Sequence, residues 1–447
     1  VPAVIQGRTL DTIAGVAPAA RIAAYKVCWD GPDPTVETDD GCAASDIIAA
    51  IDQATADGVD VINMSLGGDG PSPDEEQRAL LGAASAGIFV AASAATAART
   101  RARSRTWSRG SPRSPPAASP TTTPRRSPWA TAGGSRRVPH GPVARVGPAG
   151  ASGGLRCRRR DVPGAVREGH AGSGEGDGPH RAVRPRRLGA RRQERRGHAR
   201  RGIGMVLTNV KADSEDLDSH AVPTVHVDVD ARPAIVAYAA KAGATATLTA
   251  GDTSGVERPA PQVTGFSSRG PDPADGADII KPDITAPGSG IPAAYKDVDG
   301  RPGFAALSGT SMSSPHIAGF ALVYLGIHPT ASPSEIKSAM MTTATDTVDA
   351  QGKAVTDPFA QGAGEIASAR YLHPGLVYAS GPRDWAGYAA QTGLELPHPV
   401  PAVPVSQLNL PSIAVGSLIG GTTLTRTVTS QAAGPGGRPC RAWPEPT

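Results

Sequence analysis

Residues 13 to 94 alternate strand and helix signals, and that alternation limits the architecture more than any other feature of the chain. Arg21-Ile22-Ala23-Ala24-Tyr25-Lys26-Val27 is a short apolar run with strand character. From Asp46 to Ala54 apolar residues recur at helical spacing behind a Ser45 or Asp46 cap, and Gly58 ends the run. Val59 to Met64 reads as a buried strand, Pro73 to Ala86 as a second helix stopped by Gly87, and Ile88 to Ala92 as a further strand. Strand, helix, strand, helix, strand demands a parallel sheet with right-handed crossovers, so the expected class is α/β.

After residue 94 the pattern stops. Residues 95–202 hold 26 Arg, no Lys and 5 Asp or Glu, a surplus of 21 positive charges, while the rest of the chain is acidic. The net charge of +4 describes neither part. With 54 Gly and 43 Pro in 447 residues, a segment without a fold is expected, and this block is where it falls. Order resumes at Ile203 to Thr208, followed by a strand at Val222 to Val227 and a helix from Arg232 to Ala242, a small α/β unit spanning 203–252. Residues 253–390 carry further helix and turn signals, with Pro333 opening a helix from Ser334 to Thr343. Beyond 400, Leu408 to Ile413 and Thr422 to Val428 have β character and look like the start of a β-sandwich that is cut short.

Four cysteines are present. Cys28 and Cys42 form a disulfide if the protein is exported; otherwise they are two free thiols. No apolar run is long enough to span a membrane, and no signal peptide is visible.

The chemistry concentrates in Gly309-Thr310-Ser311-Met312-Ser313-Ser314-Pro315-His316. A serine at a helix N-terminus after glycine exposes its hydroxyl and aims backbone N–H groups at a developing oxyanion. Gly309 allows close backbone approach, and Pro315 suits a first helical turn. A lone serine there would be read as an N-cap. The whole run, however, resembles the nucleophile signature of the subtilase family of serine proteases. The resemblance extends to Gly15-Val16-Ala17-Pro18 with Ile22 to Val27, to Ser65-Leu66-Gly67-Gly68 and to residues 203 to 250. It is closest to the subfamily with a protease-associated insert and a C-terminal fibronectin-III-like domain.

The resemblance implies a parallel-sheet subtilase domain in two parts (1–94 and 253–390), a partial protease-associated insert (203–252) and a truncated β-sandwich (400–447). It implies peptide-bond hydrolysis through an acyl-enzyme on Ser311, substrate backbone pairing along Ser65, Leu66, Gly67 and Gly68, and secretion. The expected partner is a protein or peptide substrate. No cofactor, catalytic metal, specific nucleic acid or membrane is implied, and Glu37, Asp39 and Asp40 read as solvated turn residues.

Two departures stand out. The family's aspartate and histidine motifs precede its Gly-Val-Ala-Pro segment, yet Val1 to Ala14 holds no histidine, and Asp11 lacks the glycine that follows the aspartate. The sequence is expected to begin after both motifs. His316 lies five residues past Ser311, is turned away from its hydroxyl, and reads as structural. Without base and orienter the loss is on the order of a million-fold. Second, Thr96 stands where the family has its oxyanion asparagine, a donor worth about 10² to 10³ in rate. The chain as given is therefore expected to be inactive, and a non-catalytic remnant or binding module is the alternative.

The break beside Thr96 suggests a reading-frame slip. If one base is lost after the Ala94 codon, AATAARTRARSRTWSRGSPRSPPA (94–117) restores to AGNSGPDAGAVAHVVPWVTTVAAS, which contains the family's asparagine loop and its next strand. Shifted GC-rich codons also account for Arg without Lys. The residues from Gln431 onward are read as a second slip. Taken at face value, the block would instead be an Arg-rich polyanion binder. Trp107 and Trp129 are its only aromatics, too few for stacking along single strands. An uninterrupted genomic frame encoding the block would sink the slip.

Overall fold

The computed structural model describes residues 2–5, 8–31, 41–66, 74–94, 130–136, 166–169, 203–210, 215, 220, 222–249, 258–271, 276, 278–296 and 302–431. In chain order a hairpin, β1 (Pro2–Ile5) and β2 (Arg8–Thr12), leads to a two-residue ladder, β3 (Cys28–Trp29) with β4 (Gly41–Cys42). Then come α1 (Ala44–Ala56), β5 (Val61–Met64), α2 (Asp74–Ser85), β6 (Phe89–Ser93), β7 (Ala130–Arg136) and β8 (Val166–Gly169). They are followed by β9 (Met205–Asn209), β10 (Thr224–Val227), α3 (Arg232–Ala239), β11 (Gln262–Val263), β12 (Ile284–Pro287) and the hairpin β13 (Ile291–Lys296) and β14 (Pro302–Leu307). The last elements are α4 (Thr310–Ile327), α5 (Pro333–Thr343), α6 (Pro358–Gln361), β15 (Leu376–Val377), α7 (Pro382–Gln391) and β16 (Thr429–Ser430).

The main sheet is the expected parallel one. β5 pairs with β6, β6 with β7 and β7 with β12, all parallel, and the short β11 joins β7 antiparallel. Both faces are covered, and β6 shows it through its two-residue period. Phe89 and Ala91 enter a core with Ile284, Ile317, Tyr324, Ile336 and Met340 from β12, α4 and α5. Ile88 and Val90 enter a second core with Ile51, Leu80, Trp385 and Tyr388 from α1, α2 and α7. Burial on both faces is what lets β6 read as one continuous apolar run. A separate parallel sheet, β8-β9-β10, packs Val206, Val225 and Val227 against Ile235 and Leu248.

Several expectations need correction. Arg21 to Val27 is no strand: the segment has no ladder partner among the described residues, and Ile22 is 91% exposed. Apolar, β-branched composition favours a pleated surface but cannot make a strand without a neighbour to bond. The cap of α1 is Ala43, not Ser45 or Asp46, and it offers no side-chain bond. Asp46 instead accepts from Trp29 Nε1 at 2.7 Å. The block 95–202, expected to be without structure, supplies β7 and β8. β7 lies between β6 and β12 and supplies backbone partners to both. The strand that the restored frame produces, at 107–117, lies outside the described residues. Leu408 to Ile413 and Thr422 to Val428 are not strands either. The Asn409 side chain stands in for a ladder there, donating to Ala379 O and Thr427 O and accepting from Thr427 N.

Under α5 lies a charged cluster. Asp283 takes Lys281 Nζ and Lys337 Nζ, each at 2.7 Å, and all three side chains are buried. Burial pushes the Asp283 carboxyl up, but the two lysines outweigh it and hold it below its ordinary value. Burial takes Lys337 down to about 8, with Asp283 opposing and Lys281 adding to the fall.

Candidate active site

Ser311 is the second residue of α4, the helix packed across β5, β6, β7 and β12. The turn into α4 is made at Gly309, with φ 156° and ψ 161°, a region open essentially to glycine alone. Gly309 N–H donates to Gly288 O at 2.8 Å, which ties the turn to the chain leaving β12. Helix start and sheet end are thereby brought to one place.

Pro315 lies at the sixth position of α4, inside the helix rather than in its first turn as expected. Proline has no N–H, so the carbonyl four residues back, that of Ser311, loses its helical donor. Ser65 Oγ supplies one at 2.8 Å. Ser311 Oγ in turn donates to Ser65 O at 3.4 Å. Asn63 Nδ2 donates to Ser65 Oγ at 3.1 Å, and Ser314 Oγ lies between Asn63 Oδ1 at 2.7 Å and Ala91 O at 3.0 Å. Ser93 Oγ donates to Leu66 O at 3.3 Å. The end of β5, the end of β6 and the first turns of α4 thus share one hydrogen-bond network around Ser311.

Of the residues singled out by sequence, Ser65 bonds Ser311 and Leu66 O accepts from Ser93 Oγ at the end of β6, while Gly67, Gly68 and Thr96 lie outside the described residues. Cys28 and Cys42 are joined by a disulfide in the β3–β4 ladder, which is not part of the sheet that carries this network. His316 Nδ1 sits 2.7 Å from Met312 O, bonded to its own helix. Among the described residues no imidazole bonds Ser311, and no group of His, Cys, Asp and Glu is arranged to hold a metal. Asn63, Ser314 and the consequence of Pro315 were missed. The available signal was Asn63 itself, a polar side chain in the otherwise apolar run Val61-Ile62-Asn63-Met64.

Residues 3–364 match the model of the subtilase family, peptidase S8. The chain belongs to the subtilase family. Among relatives, it is 34% identical over 428 residues to subtilisin-like protease SBT1.3 of Arabidopsis thaliana, covering 85% of this chain and 51% of that protein. It is 31% identical over 495 residues to subtilisin-like protease SBT1.7 of the same plant, covering 96% of this chain and 60% of that protein. This subtilase chain therefore spans between half and three-fifths of the length of those relatives. The family is one of serine proteases, and a subtilase acts on protein or peptide substrates. Among its described residues this subtilase has no helix long and apolar enough to cross a membrane.

Proposed function

We propose that Ser311 is the nucleophile of a serine endopeptidase, forming an acyl-enzyme with the carbonyl of the scissile peptide bond. The observation that carries this reading is the position of Ser311 at the N-terminus of α4, bonded to Ser65 at the end of β5. Helix N–H groups face the site where negative charge develops, and the chain from Ser65 toward Gly68 offers backbone for an extended substrate. Thr96 takes the place of an oxyanion asparagine. Residues 203–252 are a partial protease-associated insert and 400–447 the start of a fibronectin-III-like domain. The Cys28–Cys42 disulfide supports an exported protein.

Residues 1–447 by themselves do not turn over in this reading. Ser311 Oγ is committed to a backbone carbonyl rather than to a base, and a serine hydroxyl needs a base to attack. The same observation favours a second reading, a non-catalytic remnant used for binding. Fluorophosphonate labelling separates the intrinsic reactivity of Ser311 from its fold. No labelling is expected for the 447-residue chain, and labelling that Ser311→Ala abolishes would overturn the inactivity. Labelling that survives Ser311→Ala would overturn the assignment of the nucleophile.

A further inference from the structure

We propose that the Cys28–Cys42 disulfide is a redox-cleavable clasp between β3 and β4, opened by a dithiol without unfolding the protein. The two cysteines sit directly opposite each other in the β3–β4 ladder, which has only one further residue pair, Trp29 with Gly41. That ladder is not joined to the main sheet. Cys42 is exposed and Cys28 half-buried, so no packed core shelters the bond. Exposed disulfides are the labile ones in general.

The charge of the enclosed segment favours opening. Between the cysteines stand Asp30, Asp33, Glu37, Asp39 and Asp40, with no Lys or Arg. Five like charges in so short a stretch of sequence repel one another. The chemistry also has a direction. Cys42 precedes Ala43, the cap of α1, so its thiolate forms beside the helix N-terminus and is the better leaving group. Asp46 in the first turn opposes this, but its carboxylate is engaged by Trp29 Nε1 at 2.7 Å.

In the exchange, a thiolate of the external dithiol attacks Cys28 Sγ, the S–S bond breaks, and Cys42 leaves as thiolate. The second thiol of the reductant then attacks its own mixed-disulfide sulfur and releases Cys28. The reductant ends as a cyclic disulfide, and its two protons end on Cys28 and Cys42. Tyr25 OH still donates to Asp57 at 2.6 Å, which keeps the preceding segment attached. The same acidic segment repels anionic reductants, so cationic thiols react preferentially at low salt.

The test uses the full chain with Cys157→Ser and Cys440→Ser, treated with dithiothreitol in native buffer and then alkylated. Expected are alkylation of both Cys28 and Cys42, a change in Trp29 emission that is absent in Trp29→Phe, and a retained cooperative urea transition. The rate ratio of cysteamine to mercaptoacetate should fall by about threefold or more between low salt and about 0.5 M salt. Alkylation only after denaturant, alkylation with loss of the cooperative transition, or a salt-independent ratio would each overturn the proposal.

Discussion

At residue 315 a proline ring removes the N–H that would bond the Ser311 carbonyl, and Ser65 Oγ occupies that carbonyl at 2.8 Å. Ser65→Ala should then leave the Ser311 carbonyl and Asn63 Nδ2 short of a partner, costing about 1–3 kcal/mol in urea unfolding. In a Pro315→Ala background the helical N–H returns, so the same Ser65→Ala change should cost clearly less, a coupling that a double-mutant cycle reads directly. Two glycines test backbone shape in opposite directions. Gly82, exposed in α2 with open space where a Cβ would stand, should gain up to about 1 kcal/mol as Gly82→Ala. Gly364, at φ 108° with a Cβ position falling on the Thr345 carbonyl, should lose on the order of 3 kcal/mol as Gly364→Ala. Both read simply as Gly in the sequence. Ser311 was legible because eight consecutive residues carry its motif, whereas the role of Ser65 depends on a contact 246 residues away along the chain.

Helix α5 is held onto β12 by opposite charges as well as by Ile336, Ala339 and Met340. Asp283 pairs with both Lys281 and Lys337, so Asp283→Asn leaves two buried cations without their shared carboxylate and should cost about 3–5 kcal/mol. Lys337→Met keeps the Lys281–Asp283 pair, so it should cost far less. Between about 8 and its ordinary 10.5, Lys337 is protonated in the unfolded chain but not in the folded one. Stability should therefore rise with pH across that interval and be level below it, and Lys337→Met should lose the rise when chemical denaturation is repeated along the pH series. Helix positions were readable in advance: Gly58 and Gly87, both at positive φ, close α1 and α2 close to where sequence placed their ends. Strands were readable only where a neighbouring strand exists to pair with. Ile88 to Ala92 became β6, but Arg21 to Val27, with equal β character, did not become a strand. A helix completes its hydrogen bonds locally; a strand borrows them.

Across the molecule, protection should follow the two cores that meet at β6. Hydrogen exchange should be slowest in β6, the buried face of α4 and β12, and fastest among the described segments at Arg21 to Val27, where no ladder bond shields an amide. Equal protection of Arg21 to Val27 and β6 would contradict this arrangement. The parallel sheet followed from the alternation of strand and helix. The entry of β7 from the arginine-rich block did not, because Ala130 to Arg136 has no alternation of its own and gains a place only between β6 and β12. The same sheet has a practical side for anyone handling the protein. Among the described residues β5 pairs only with β6, and Ile22 projects from an apolar segment with no partner. Such unsatisfied backbone recruits another molecule as readily as it would accept its own chain. At high concentration, association between copies of the chain should begin at these two edges.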